Sequence, residues 1–576
     1  MEKSKTFLSP LQKPEFYVLV FLCFIAFYKI AFDLKPYPTG DAAEYILTTE
    51  SFYNHAGPSI NSEDFKSFKA GFLKKKEWWE ISKPEFFNQV EEFVAKENKT
   101  FKENFAGIFV AKNNKLYSYH FPFYSLVNLP ARIFCHLFHR NPLGAFQLTN
   151  AILILLTCAL ILFSNSSLNR LAKIFISLAF FFSSVYWYLG WVHPEVMTAC
   201  LVACSLWYLW QDRFLPAIWL MVLASLQNQP LLVMVGFLSL LYLIQFKLKA
   251  RTVLNLVLPG LVSLSPSLFY YYHFGTFNLV KDQGFLSDEV VTFTRIFGFF
   301  FDPNQGIILA IPVALILFFY FIIFNLKYFK EWTSHKKLVL LPLAITIMIL
   351  SFSTMKNWNH GQAVIIRYGV WISTIVLLFV MFQLTTKKSL FSMSIAGMVV
   401  LSQIGTTIYH ESLNKFDWTW FEHKPLANYV LENYPEFYNP DPHIFFVRTT
   451  GKDVLDTSYG PVIFRDKYEN IKKIMVHTHS EKKLNALGVD TKNLFVGNST
   501  RDKINGWYYL NAEEIPVLEF DVFQKTLKES SVESTKIRIR STPEWMEQIK
   551  IKASEKNISV DSMITLDAIY ILNQEQ

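Results

Sequence analysis

The sequence predicts a polytopic α-helical membrane protein with about eleven transmembrane helices, a large first outer loop and a C-terminal extracytoplasmic α+β domain. Three observations predict it. The chain of 576 residues is 52% hydrophobic and 17% aromatic, with positive mean hydropathy. Apolar runs recur at the length of about 20 residues that a helix needs to cross a bilayer. Lys and Arg collect in alternate connections, as they do when those connections stay in the cytoplasm.

In chain order the apolar runs place spans near 15–34, 145–163, 171–189, 194–210, 214–227, 229–246, 252–271, 306–325, 337–355, 367–385 and 389–408. Lys3 and Lys5, Arg170 and Lys173, Arg213, the run Lys247, Lys249 and Arg251, then Lys327, Lys330, Lys336 and Lys337, and finally Lys387 and Lys388 mark the cytoplasmic side. An odd number of spans then puts the N-terminus inside and the tail outside. The first span resembles a signal anchor without a small-residue cleavage site, so it is expected to be retained. Residues 1–410 form the transmembrane domain and 411–576 a soluble one.

The first outer loop, 35–118, is too long for a simple connection and must have structure of its own. From Glu63 to Lys99 it mixes Lys and Glu with Phe65, Phe68, Phe72, Trp78, Trp79, Phe86, Phe87 and Phe93, the pattern of an amphipathic helix on a membrane surface or over a cavity. Beyond it, 107–111 and 115–119 flank the turn Lys112-Asn-Asn114 as a hairpin. In the tail, His443–Arg448, Pro461–Phe464, Lys473–His477 and Trp507–Leu510 read as strands, and Arg465–Lys472 and Ser480–Leu487 as helices. Ser541-Thr-Pro-Glu544 supplies a cap, a first-turn proline and an acidic third residue for a helix through Trp545, Ile549 and Ala553.

Composition removes several function classes. The net charge of +8 is largely the positive-inside signature, and no basic-aromatic tract for nucleic acid is present. Cys23, Cys135, Cys158, Cys200 and Cys204 all lie in apolar segments, so neither a disulfide framework nor a cysteine metal cluster is expected outside. Asn98-Lys-Thr100 and Asn498-Ser-Thr500 fit a glycosylation sequon, a triplet that arises often by chance.

The polar residues that carry chemistry fall at the outer ends of the spans. They are Asp41 and Glu44; His193 and Glu195; Gln227, Asn228 and Gln229; Lys281, Asp282, Asp288, Glu289 and Arg295; Asp302, Asn304 and Gln305; and Lys356, Asn357, Trp358, Asn359, His360 and Arg367. One polar cavity at the outer leaflet would collect them. Ionisable groups at a membrane boundary are costly and functional by default when they face a cavity. Plain structural readings compete. Asp41 with Glu44 has the spacing of an N-cap and its capping-box partner, and spacing alone favours that reading. His193-Pro-Glu195 has the form of a helix start, Asp302-Pro303 of a loop ending, and Arg367 of a snorkelling arginine.

These residues also form a pattern. Gly40-Asp-Ala-Ala-Glu-Tyr45, Leu116-Tyr-Ser-Tyr-His-Phe-Pro-Phe-Tyr124, His193-Pro-Glu195, Phe301-Asp-Pro-Asn-Gln-Gly306 and Asn357-Trp-Asn-His-Gly361 with Arg367-Tyr368 resemble the GT-C superfamily, the multi-span glycosyltransferases that use polyprenyl-phosphate-linked sugars, in their bacterial envelope form. The resemblance covers most of 15–410. It implies a bacterial inner membrane and a sugar donor carried on polyprenyl phosphate. The acceptor would be an envelope glycan, lipid or protein, and inversion would need one base. It makes Asp41 the catalytic carboxylate, although Asp41-Ala-Ala-Glu44 replaces the adjacent acidic pair of other members and leaves Glu44 as the rival. Glu195 matches an acidic residue of the second outer loop. Arg367, with Lys356 or His360, would bind the donor phosphate, and His120, His193, Asp302, Asn304 and Trp358 would line the cavity. No metal or cofactor is required, though Asp41, Glu44 and Glu195 offer enough oxygens for a divalent cation. The rivals are a transporter or lipid flippase, which would show polar or broken mid-span helices, and a non-catalytic envelope scaffold.

Overall fold

Apolar runs closed by prolines, glycines and polar turns fold as helices along most of the chain. The computed structural model describes residues 13–33, 38, 41–72, 84–331, 336–359, 364–387, 389–413, 421–452, 455, 462–477, 507–511, 532, 535–556 and 558–574. Among them, six helices are long and apolar enough to cross a membrane: Pro14–Phe32, Gly144–Phe163, Gln229–Phe246, Ala250–Phe274, Gly369–Thr386 and Leu390–His410. Arg170–Phe181 with Ser184–Gly190 makes a seventh if a pair bent by 43° counts as one span. The runs at 194–210, 214–227, 306–325 and 337–355 are also helical, as Glu195–Trp210, Phe214–Gln227, Pro312–Tyr328 and Lys337–Phe352, but shorter. Gly369–Thr386 is buried along nearly its whole length.

The chain divides into two compact units. The first comprises 1–288, 299–356 and 360–417; the second comprises 289–298, 357–359 and 418–576.

In the first unit, the loop after the first helix builds its own core. The helix Ala42–His55 is buried through its first ten residues. Asn61 and Asp64 form a capping box that starts the helix Ser62–Ala70. The Glu63–Lys99 stretch is therefore not one amphipathic helix but two, Ser62–Ala70 and Pro84–Ala95, with Trp78 and Trp79 outside the described residues. Its phenylalanines turn inward to different extents, with Phe72, Phe86 and Phe93 only partly buried. Phe65, Phe68 and Phe87 are fully buried and pack with Ile108 and Val110 of a three-stranded antiparallel sheet. The expected hairpin is present, with Val110 opposite Leu116 and Asn114 in the left-handed region at φ 59. A buried, bidentate ion pair, Arg132 Nε to Glu50 Oε1 at 2.5 Å and Nη2 to Oε2 at 2.9 Å, ties Ala42–His55 to the helix Phe123–Leu137. Each partner's charge is met by the other, as burial of charge demands.

In the second unit, two expectations reverse. His443–Arg448 lies in a helix, Pro442–Thr450, because Asp441 accepts from the His443 N–H as its cap, Pro442 opens the first turn and Gly451 closes it at φ 70. Arg465–Lys472 is the end of one strand, the turn 466–470 and the start of the next, and not a helix. The Asp466 carboxylate accepts from the N–H groups of Tyr468 and Asn470, and Glu469 sits at φ 66, which no helix allows. The strands Val462–Arg465, Ile471–His477 and Trp507–Asn511 form an antiparallel sheet in sequence order. Ser480–Leu487 lies outside the described residues. The helix Pro543–Glu555 starts as expected, but the Thr542 hydroxyl bonds back to the Arg538 carbonyl and caps nothing.

Candidate functional site

Asp41 occupies the N-cap position of Ala42–His55, yet its side chain makes no cap bond. Its Oδ2 accepts from Nη1 of Arg367 at 2.7 Å. Glu44 does not reach back to close a capping box either. Its Oε1 meets Nδ1 of His120 at 2.6 Å, and its Oε2 accepts from the Ser118 hydroxyl and, at 3.1 Å, from the His120 N–H. The capping reading of this pair is thereby overturned: charged partners far along the chain outcompete the local backbone, since charge-assisted bonds are roughly twice as strong as neutral ones.

The local sequence explains how these groups meet. His120 follows the sheet strand Leu116–Ser118, so the strand aims Ser118 and His120 at the helix. Gly107 permits the approach, because a Cβ there would lie 3.0 Å from the Glu44 carboxyl carbon, and its φ of +79 suits glycine alone. The Tyr45 ring stacks on His120 at 5.5 Å and meets the His193 ring edge-on at 5.3 Å, which brings the His193-Pro-Glu195 segment to the same place. His193 stacks on Trp191 at 3.7 Å and lies 3.7 Å from the Glu195 carboxylate; both His193 and Glu195 are buried.

Arg367 is held from behind. The Tyr188 hydroxyl donates to the Ile365 carbonyl at 2.6 Å, and the Ile366 N–H donates to the Gln305 carbonyl at 3.0 Å. Gln305 belongs to a turn that Asp302 organises, its Oδ1 accepting from the N–H groups of Asn304 and Gln305. Gly306 completes that turn where a Cβ would lie 2.5 Å from the Asp302 nitrogen. Asp302 and Asn304 thus bear on Arg367 through its backbone support. The guanidinium gives Nη2 to the Tyr368 hydroxyl at 3.2 Å, while its buried Nε has no hydrogen-bond partner among the described residues. One edge of the fork, Nε with Nη2, therefore retains capacity for an anion with two oxygens.

The charges set one another. Burial works to raise the Asp41 carboxyl, but the positive charges of Arg367, His120 and His193 outweigh it and hold Asp41 well below the usual carboxylate range. Burial pushes the Glu44 carboxyl up, against the pull of His120. For His120 burial favours the neutral ring, and the Glu44 carboxylate reverses that, raising it.

Other sequence candidates fall elsewhere. The Lys356 side chain is exposed and makes no described bond to Asp41 or Arg367. His360 lies outside the described residues. Trp358 belongs to the second unit, where the Arg295 guanidinium stacks on it at 4.6 Å. In place of Glu195, the structure puts His120 with Asp41 and Glu44, one nitrogen or oxygen of each lying within 4.8 Å of the others. That spacing suits a cation. However, both Glu44 oxygens are already taken up by Ser118 and His120, and one Asp41 oxygen by Arg367. Ser118, Tyr45 and Tyr368 complete the site; each stands inside a quoted motif, but only the folded contacts give it a role.

Comparison of the chain with protein-family models, with curated proteins and with solved structures finds no match.

Proposed function

We propose that the chain is a membrane glycosyltransferase of the GT-C kind, with eleven spans, that moves a sugar from a polyprenyl-phosphate donor to an envelope glycan, lipid or protein at the outer face of a bacterial inner membrane. The observation that carries this reading is the Asp41–Arg367 ion pair, an acid and a cation meeting 326 residues apart at adjacent helix mouths where neither is needed as a cap. Inverting transfer requires a base for the acceptor hydroxyl and a cation for the departing phosphate. Asp41 supplies the first: as the acceptor oxygen bonds to the anomeric carbon, its proton passes to the free Asp41 oxygen. Arg367 supplies the second, its unfilled Nε and the adjacent Nη2 facing the two phosphate oxygens while Nη1 keeps Asp41 in register. Glu195 and His193 add polar lining, and no step calls on a metal.

The test is sugar transfer by purified, equally expressed variants given a polyprenyl-phosphate sugar and envelope acceptor lipids. Asp41→Asn keeps an acceptor for Arg367 but is not a base, and its turnover is expected to fall roughly 100-fold to 10,000-fold. Glu44→Gln is expected to be milder. Collapse in Glu44→Gln alone would move the base there, and release of unchanged lipid across the bilayer by the wild type would favour a flippase.

A further inference from the structure

We propose that His120, buttressed by Glu44, receives the reaction proton from Asp41 and passes it to solvent, so that proton removal is a two-group relay. The inference rests on the glycosyl-transfer reading above. It begins from a difficulty that the geometry itself creates. A carboxylate bound to Arg367 at 2.7 Å is a poor place to leave a proton, because protonation dissolves the ion pair that orients it. A second acceptor must clear Asp41 before the next turnover.

His120 is placed for that. One His120 ring nitrogen lies within 4.8 Å of one carboxylate oxygen of Asp41 and of one of Glu44, near enough for a single bridging water. Its Nδ1 is fixed on Glu44 Oε1 at 2.6 Å, so in the neutral ring, the form the relay uses, that nitrogen keeps its hydrogen beside ionised Glu44 and Nε2 is the acceptor. Glu44 is itself enclosed: it is fully buried, its other oxygen accepts from Ser118 and from the His120 N–H, and Gly107 packs against it. The His120 side chain is 20% exposed, against none for Glu44, so of the pair it is the member with a way out.

Atoms balance through the step. The acceptor O–H bond breaks as oxygen bonds to the sugar, the electron pair of the old glycosidic bond leaves on the lipid phosphate, and the proton moves from Asp41 through water to Nε2. The imidazolium so formed is stabilised by the Glu44 carboxylate until it gives the proton to bulk water. Glu44, Asp41 and Arg367 act on its charge, and the other titratable groups around it are Tyr45, Tyr119, His193 and Glu195. A purely structural tie would need only a hydrogen-bond donor opposite Glu44, which separates the two roles.

The experiment measures sugar transfer by the full-length protein with a polyprenyl-phosphate sugar. His120→Gln keeps a donor for Glu44, so the fold is retained. Its kcat is expected to fall about 100-fold with donor KM unchanged, and the acid limb of the kcat profile to disappear. His120→Ala is expected to regain turnover when imidazole is added. Turnover by His120→Gln within roughly three-fold of wild type, in a protein where Asp41→Asn is inactive, would overturn the relay and leave the site reading standing. If Asp41→Asn also turned over normally, the reading itself would fall with it.

Discussion

The two units each contain a short arginine–aspartate pair, and the two are built to opposite ends. In the second unit Arg295 donates to Asp441 at 2.8 Å with both side chains almost wholly enclosed, the guanidinium stacked on Trp358 and the carboxylate also capping Pro442–Thr450. In the first unit Arg367 meets Asp41 at 2.7 Å, but Asp41 remains 32% exposed, Arg367 has an unfilled Nε, and titratable groups crowd around. The sealed pair is structural, since every polar group at its heart has a protein partner and removing one charge strands the other. The open pair keeps a guanidinium nitrogen without a partner among the described residues.

The contrast can be broken most forcefully at the sealed pair. Asp441→Ala leaves the Arg295 charge buried without its partner and is expected to destabilise the second unit by about 3–5 kcal/mol. Protease digestion of the full chain would show the tail opening; resistance equal to wild type would mean that the pair is dispensable. At the open pair the expected loss is kinetic. Arg367→Lys keeps the charge and loses the planar fork, so turnover should fall roughly 10-fold to 100-fold, a loss of one charge-assisted bond, without altering the unfolding midpoint. Wild-type turnover in both Arg367→Lys and Arg367→Ala would return Arg367 to a snorkelling role.

How far the sequence foretells these places depends on the range of the interactions. The apolar runs foretell where helices form, because length and composition decide them locally, but among the described residues only six of those helices, or seven with one bent pair, are long and apolar enough to cross a membrane. The polar residues at the run ends foretell Asp41, Glu44, His193, Glu195 and Arg367 as a group. Their pairing was not legible. Asp41 and Glu44 carry a perfect capping-box spacing, and only the fold brings Arg367 and His120 near enough to override it. The same limit explains the tail. His443–Arg448 is rich in β-branched and aromatic residues, yet the Asp441 cap, Pro442 and Gly451 outweigh composition. Arg465–Lys472 has helical charge spacing, and a single aspartate, Asp466, bends it into a turn.

Smaller effects sharpen the account of the tail. His423 is held neutral, down to about 3, by burial and by the Arg448 charge; His443 is lowered to about 4 chiefly by burial, with Asp441 opposing and Arg295 adding. The Asn359 N–H donates to His443 Nδ1 at 3.2 Å, a bond the protonated ring cannot accept. Both folded values lie below the unfolded value of about 6.5, so their contribution is complete above that pH and is lost as pH falls. The second unit should weaken by about 1.4 kcal/mol per pH unit for each histidine below pH 6.5. Hydrogen exchange of 442–450, corrected for its intrinsic rate, would register this between pH 7 and pH 5, and constant protection would contradict it. Smallest of all, Thr542→Ala should cost less than roughly 0.5 kcal/mol, below the usual value of about 1 for a lost cap, because its hydroxyl caps nothing; thermal unfolding measures the difference.

Making the same change in both pairs separates a pair that serves chemistry from one that holds structure. Asp41→Asn and Asp441→Asn should be purified side by side and assayed for sugar transfer and for the unfolding midpoint. The account predicts a crossed result: Asp41→Asn loses turnover by roughly 100-fold or more with the smaller fall in midpoint, whereas Asp441→Asn unfolds much earlier and retains most of its turnover under conditions where it is folded. Normal turnover in Asp41→Asn, or unfolding of that variant to the same extent as Asp441→Asn, would contradict it.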